Sequence, residues 1–220
     1  MTTFPNSPRL TKGGLVLIDA ETARVQRIIS LQYNADTLTR KFQTQETGGE
    51  GGGIRVEPTR FKGPAIETIT LEAEIDATDQ LEFPTQHPNV GEFGIQPQLA
   101  LLESLVNPTA SQLQAVDSQA SSGTLEIAPM LAPLVLFVWG KSRIVPVKVS
   151  DFSITEEAFD PALNPIRAKV NFSLRVLSVD DLGYQSKGGS LFMTYLQTKE
   201  RFAGKVPPVS FSTLGIGGIT

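Results

Sequence analysis

FSITEEAFDPALNPIRAKVNFSLRVLSVDDLGYQSKGGSLFMTYLQTKER, residues 152–201, decides the fold. Within it, Ile166, Ala168, Val170, Phe172, Leu174 and Val176 alternate with Arg167, Lys169, Asn171, Ser173 and Arg175. Side chains alternate across a strand, so residues 166–176 predict a β-strand with one dry face and one wet, basic face. Ordinary strands run to about 5–6 residues, so this one is long. Downstream, Gly188-Gly189 is expected to break the chain. Ser190 would then cap a helix over 191–203, where Leu191/Tyr195, Phe192/Leu196 and Lys199/Phe202 make one apolar side. Lys199 and Arg201 suit the negative end of that helix. Nothing in the stretch has the pattern of a catalytic motif. It reads as an assembly surface.

Working outward, residues 66–76 (IETITLEAEID) form a second long strand. Ile69, Leu71, Ala73 and Ile75 face one way, and Thr68, Thr70, Glu72, Glu74 and Asp76 the other. Its wet face is acidic where that of 166–176 is basic. The two strands can therefore pair within the chain or between subunits. Residues 14–19 and 24–32 read as a hairpin, and 33–40 as a polar turn or a single helical turn. Residues 43–63 form a long loop with the glycine run 48–53, and 96–106 a helix opened by Pro97 and closed by Asn107-Pro108. Residues 107–123 are a surface connection or weak helix. The run LVLFVW at 134–139 predicts a strand buried on both faces. Trp139 belongs to the core rather than to a ligand platform. Residues 143–149 return as a strand that Pro146 places at an edge or bulge, and 152–159 extend it. The expected fold is mainly β (α+β): a flexible arm at 1–13, one β domain over 14–205, and a tail at 206–220 that is apolar and uncharged.

Composition bounds the function. The chain has 220 residues, 40% of them hydrophobic and 19% charged, which is globular rather than disordered. A net charge of −4 makes it a poor general binder of nucleic acid, because phosphate neutralisation needs a basic surface. With no cysteine there is no disulfide, thiolate chemistry or cysteine metal site. The single histidine, His87, sits between prolines in a loop-like stretch and reads as a surface residue. The glycine run lacks the Gly-Lys-Ser/Thr ending and the strand–helix context of a phosphate loop. The carboxylates Asp79, Glu82, Glu156, Glu157, Asp160, Asp180 and Asp181 have neither glycosidase nor calcium-loop spacing. No catalytic, metal or cofactor residue is assigned. The N-terminus has no apolar core of signal length. The longest apolar run, 130–139, contains Pro133 and is too short to span a bilayer. The expectation is a soluble protein made in the cytoplasm, with no direct membrane insertion.

The segments LVLIDAETARVQRIISLQYNADTLTR, LEAEIDATDQLE, GIQPQLALLESLV, PLVLFVWGKSRIVPVKVSDFSITEEAFDPALNPIRAKVNFSLRVLSVDDLG and GGSLFMTYLQTKER together resemble the tube-domain baseplate proteins of contractile injection systems, which are phage-tail-like particles. The resemblance covers most of residues 10–203. It implies a phage tail-tube-like β-barrel or sandwich whose strands join between subunits. The assembly it implies is a homohexameric ring linking the spike hub to the inner tube and initiating that tube. The implied partners are other copies of the chain, the spike/hub protein, the inner tube protein and baseplate wedge proteins. Many relatives carry a peptidoglycan-binding LysM module after the tube domain; here the short tail stands at that place. In such a ring Arg167, Lys169, Arg175, Thr68, Thr70, Glu72 and Glu74 are expected to line the lumen. Phe192, Tyr195, Lys199 and Phe202 are expected on a subunit-contact helix. The competing readings are a repeating inner tube subunit, a carbohydrate-binding β module and an enzyme. Copy number per particle, glycan binding and turnover separate them.

Overall fold

A computed structural model describes residues 10–45, 61–121 and 132–219. The hairpin forms as expected. β1 (Gly14–Ile18) and β2 (Val25–Ser30) pair antiparallel around a turn in which the Asp19 carboxylate accepts from the amides of Glu21 and Thr22. β3 (Leu38–Gln43) follows, then β4 (Ile66–Asp76). Residues 33–40 were expected as a turn, but 38–40 instead begin a strand that continues through Gln43. The long loop predicted from Gln43 therefore starts later, and its glycine tip at 48–53 lies outside the described residues.

Four helices come next. Of two short ones, α1 (Thr78–Leu81) and α2 (Pro88–Phe93), the second begins within the loop-like stretch around His87. α3 (Gln96–Glu103) and α4 (Ala110–Ser121) follow. β5 (Leu134–Val138) is the buried apolar run, and β6 (Ile144–Phe159) is one strand of 16 residues that joins the two predicted pieces. β7 (Pro165–Val176), α5 (Val179–Leu182) and α6 (Lys187–Ala203) complete the domain, with a 3-10 turn at Phe211–Leu214 in an exposed tail.

All strands belong to one antiparallel sheet in the order β2-β1-β5-β6-β7-β4-β3. Its halves are offset along β6. β5 pairs only with residues 144–147 of β6, whereas β7 pairs with residues 147–159. The sheet therefore folds into two layers that share β6. The three-stranded back layer is β2-β1-β5 and the four-stranded front layer is β6-β7-β4-β3. Leu15, Leu31 and Phe137 from the back layer line the same small cavity, about 10 Å³, as Leu71, Phe172 and Leu174 from the front layer. That contact is possible only if the sheet curls over its own apolar face. Gln32, just after β2, fastens the curl: its side-chain amide donates to the Asp76 carbonyl (2.6 Å) and accepts from the Asp76 N–H (3.1 Å), as a ladder residue would. Leu99 and Leu102 of α3 and Phe192 and Tyr195 of α6 join the same core.

Two further expectations are corrected. Pro146 lies in the shared strand β6, opposite Leu136, and is fully buried rather than at an edge. It is tolerated because its carbonyl receives Leu177 N–H just past the end of β7, so the missing donor points where no ladder continues. Gly188-Gly189 does not break the chain before α6 but lies in its first turn, and Ser186 is the cap, accepting from Gly189 N–H at 2.9 Å. A Cβ on Gly189 would lie 2.1 Å from the Gly183 carbonyl, and one on Gly188 2.5 Å from Leu182 Cδ1. Gly189 is needed for the close approach of the backbone just after α5, whereas Gly188 meets side-chain methyls that can shift.

Candidate assembly face

The register of the front layer gathers the sequence-predicted polar residues onto one face. β4 and β7 pair antiparallel, with Thr68 opposite Arg175, Thr70 opposite Ser173, Glu72 opposite Asn171, Glu74 opposite Lys169 and Asp76 opposite Arg167. The acidic and basic strands thus meet within one chain. Behind them the alternate residues Ile69, Leu71, Ala73, Ala168, Val170, Phe172 and Leu174 are buried. β6 adds Lys148, Asp151, Ser153 and Thr155, opposite Arg175, Ser173, Asn171 and Lys169, and β3 adds Thr39 and Lys41, opposite Thr70 and Thr68. Opposed residues of an antiparallel pair share a face, so these side chains make one continuous wet surface.

Its charges run in stripes. β7 is basic through Arg167, Lys169 and Arg175; β4 is acidic through Glu72, Glu74 and Asp76. Lys169 Nζ lies 3.2 Å from Glu157 Oε1, and Arg167 Nε 3.5 Å from Asp76 Oδ2. The bond and charge of Glu157, with the charges of Glu72 and Glu74, raise the Lys169 ammonium above the ordinary lysine value. Arg175 turns to Asp181 at 2.7 Å. Asp181 also closes a capping box with Ser178 at the start of α5. Asp160, like the Asp180–Asp181 turn, has a local role: it accepts from the amides of Ala162 and Asn164 in the β6–β7 turn.

Glu67 is the residue that sequence reasoning missed. It shares strand parity with Ile69 and Leu71, so it points into the core, and it is 3% exposed. Arg40 of β3 donates to it from Nε at 2.6 Å, Lys199 of α6 from Nζ at 2.7 Å, and the Tyr195 hydroxyl at 3.0 Å. Arg40 also donates to the Tyr195 hydroxyl at 3.1 Å. Phe42 lies under both cations, 4.8 Å from the Arg40 guanidinium and 5.1 Å from Lys199 Nζ. Burial pushes the Glu67 carboxyl up, but bonds from Arg40 and Lys199 and their charges outweigh it and hold the group below the ordinary carboxylate value. Burial and the neighbouring Glu67 charge push the Tyr195 phenol up to about 12. Burial also lowers the Lys199 ammonium, more than Glu67 raises it. The signal for this cluster was available in the sequence: a carboxylate on the apolar parity of a strand must find cations.

The cluster ties α6 across the sheet, from Gly188 beside Leu134 of β5 to Lys199 on Glu67 of β4. Tyr195 and Lys199, both expected on a subunit-contact helix, belong to this cluster. Phe192 and Tyr195 are each 5% exposed within their own chain, and Lys199 is bonded to Glu67 instead of serving the helix terminus. Phe202 is 47% exposed and remains available.

Among the described residues, both flanks of the front layer are open: 148–159 of β6 have no strand on the β5 side, and β3 ends the sheet on the other. Among the described residues no group of His, Asp and Glu is arranged to hold a metal ion, and no helix is long and apolar enough to cross a membrane. A family model described as "Contractile injection system tube protein" matches residues 15–182, well over half of the chain. The chain belongs to that family, and its role is structural. No curated protein matches it in sequence.

Proposed function

We propose that this chain is a baseplate component of a phage-tail-like contractile injection system, forming a homohexameric ring that links the spike hub to the inner tube and initiates tube assembly. The observation that carries the reading is the front layer. It has one buried face, one polar face and, among the described residues, an unpaired strand at each side. Open strand edges template further pairing, and closure into a ring removes them. In the ring the polar face lines the lumen, with Thr68, Thr70, Glu72, Glu74, Arg167, Lys169 and Arg175 toward the channel. Partners are other copies of the chain, the spike hub, the inner tube protein and wedge proteins of the baseplate. Phe202 on α6 and the exposed Val206, Val209, Phe211 and Leu214 of the tail offer apolar contacts to them.

The initiator role, rather than that of a repeating tube subunit, is favoured by material outside the two layers. The helices between Thr78 and Ser121 stand between β4 and β5, and the tail leaves Val206, Val209, Phe211 and Leu214 exposed. A subunit stacked many times needs neither. Quantitative mass spectrometry of purified particles tests this. One ring's worth of copies supports the initiator, and a number that scales with tube length assigns the chain to the repeating tube.

A further inference from the structure

We infer that the turn between β6 and β7, residues 160–164, is a preformed knob that docks, Leu163 first, into an apolar socket with a basic rim on a partner protein. The turn joins the two longest strands of the sheet at their far end. Leu163 is unusual there on two counts. It is 77% exposed, and its φ of 65 lies in the left-handed region. A left-handed backbone suits glycine or asparagine better than leucine, and an exposed leucine gains nothing from burial in its own chain. Local strain that the rest of a domain must offset concentrates where binding contacts are made.

The knob is fixed before any partner arrives. Asp160 Oδ1 accepts from the amides of Ala162 and Asn164 at 2.7 and 2.8 Å, and Leu163 N–H donates to the Asp160 carbonyl at 2.9 Å. Asn164 Nδ2 donates to Asp160 Oδ2 at 2.9 Å and to the Glu92 carbonyl of α2 at 3.1 Å. Ile95 N–H, at the start of α3, donates to the Pro165 carbonyl at 2.8 Å. A contact residue held in this way loses little conformational freedom on binding. Beside it, Phe159, opposite Pro165, and Phe93, next to Gly94 on the Pro165 carbonyl, are half exposed.

Charge selects the kind of partner. No lysine or arginine occurs between Lys62 and Lys141. Ala77 N–H bonds the Ile166 carbonyl, so α1 starts beside β7, and α1 and α2 surround the knob with the acidic charges of Asp79, Glu82 and Glu92. β6 adds Glu156 and Glu157. The nearest cations, Arg167 and Lys169, lie against Asp76 and Glu157. An acidic surround repels the phosphates of nucleic acid and of an anionic bilayer. It complements lysine and arginine around an apolar socket.

The full chain is titrated with the spike-hub protein and with the inner tube protein of the same particle, a choice of probes that rests on the baseplate reading above. Leu163→Asn and Leu163→Gly relieve the backbone, so both variants should melt no lower than wild type. The expected result is that both weaken binding to one probe by about tenfold or more in calorimetry, whereas Leu163→Met retains it. Glu92→Lys with Glu156→Lys should slow association with the same probe. Equal binding by wild type and Leu163→Asn would overturn the knob and leave the baseplate reading standing. A Leu163→Asn defect seen only in self-association of the chain by sedimentation would overturn the separate partner. A wild-type chain that binds neither probe would overturn both the knob and the baseplate reading.

Discussion

Glu67→Gln is the substitution that most directly probes how the sheet is held to α6. The carboxylate is buried and takes two charged donors at 2.6 and 2.7 Å plus a tyrosine hydroxyl. Glutamine keeps the shape but brings an amide N–H₂ that must face Arg40 or Lys199, donor against donor. Removing one partner of a fully buried ion pair costs about 3–5 kcal/mol. Here the cations are 28% and 33% exposed, so water screens them and part of that penalty is relieved. The expected loss is about 2–3 kcal/mol, read as a lower urea midpoint with unchanged slope. The same change made in an Arg40→Met, Lys199→Met background should cost less than about 1 kcal/mol, because no cation is left unpaired. The acid limb gives a second readout. Because the folded-state carboxyl is held below its ordinary value, its contribution is present above the ordinary carboxylate range and is lost as pH falls through the depressed folded value. Wild type should therefore lose more stability on acidification than Glu67→Gln. A loss under about 0.5 kcal/mol, with parallel acid limbs, would refute the cluster as the tie between α6 and the sheet.

Four other outcomes follow from the same geometry. Tyr195 is raised to about 12, so its stabilisation is whole below pH 10 and fades as pH rises toward that value; Tyr195→Phe should flatten the alkaline limb of a stability–pH curve. Gly189→Ala forces a Cβ against the Gly183 carbonyl and should cost about 2–4 kcal/mol by chemical denaturation, whereas Gly217→Ala, in open space, should be near neutral. Leu163 sits in the left-handed region at φ 65, 77% exposed at the β6–β7 turn, and Leu163→Gly should stabilise the isolated chain by about 1 kcal/mol in thermal melts. Arg167→Glu with Arg175→Glu reverses the basic stripe beside acidic β4, and particles carrying it should assemble poorly or fail to pass cargo; unchanged assembly and delivery would remove support for the lumen assignment.

The long two-faced strands and the β1–β2 hairpin are legible in the sequence because alternation over many residues has one reading. β3 is not legible. Leu38, Arg40 and Phe42 share its core-facing parity, so a charged residue stands between two apolar ones, and the buried Glu67 on β4 with the Tyr195 hydroxyl makes that arginine comfortable there. The glycines at 188–189 look like a break because their cause, the close passage of α5, lies in tertiary structure. The wet face was legible residue by residue, but its striped order required register, which no single strand carries. Likewise, α6 reads correctly as amphipathic, yet which of its apolar residues remain for a partner depends on what its own sheet covers.

The most direct test of the central claim is electron microscopy with native mass spectrometry of the purified full chain, alone and with the spike-hub protein. The account predicts closed six-membered rings, formed by the chain alone or on the hub, with the polar face of β4 and β7 toward the central channel. A monodisperse monomer that ignores the hub at every concentration would contradict it.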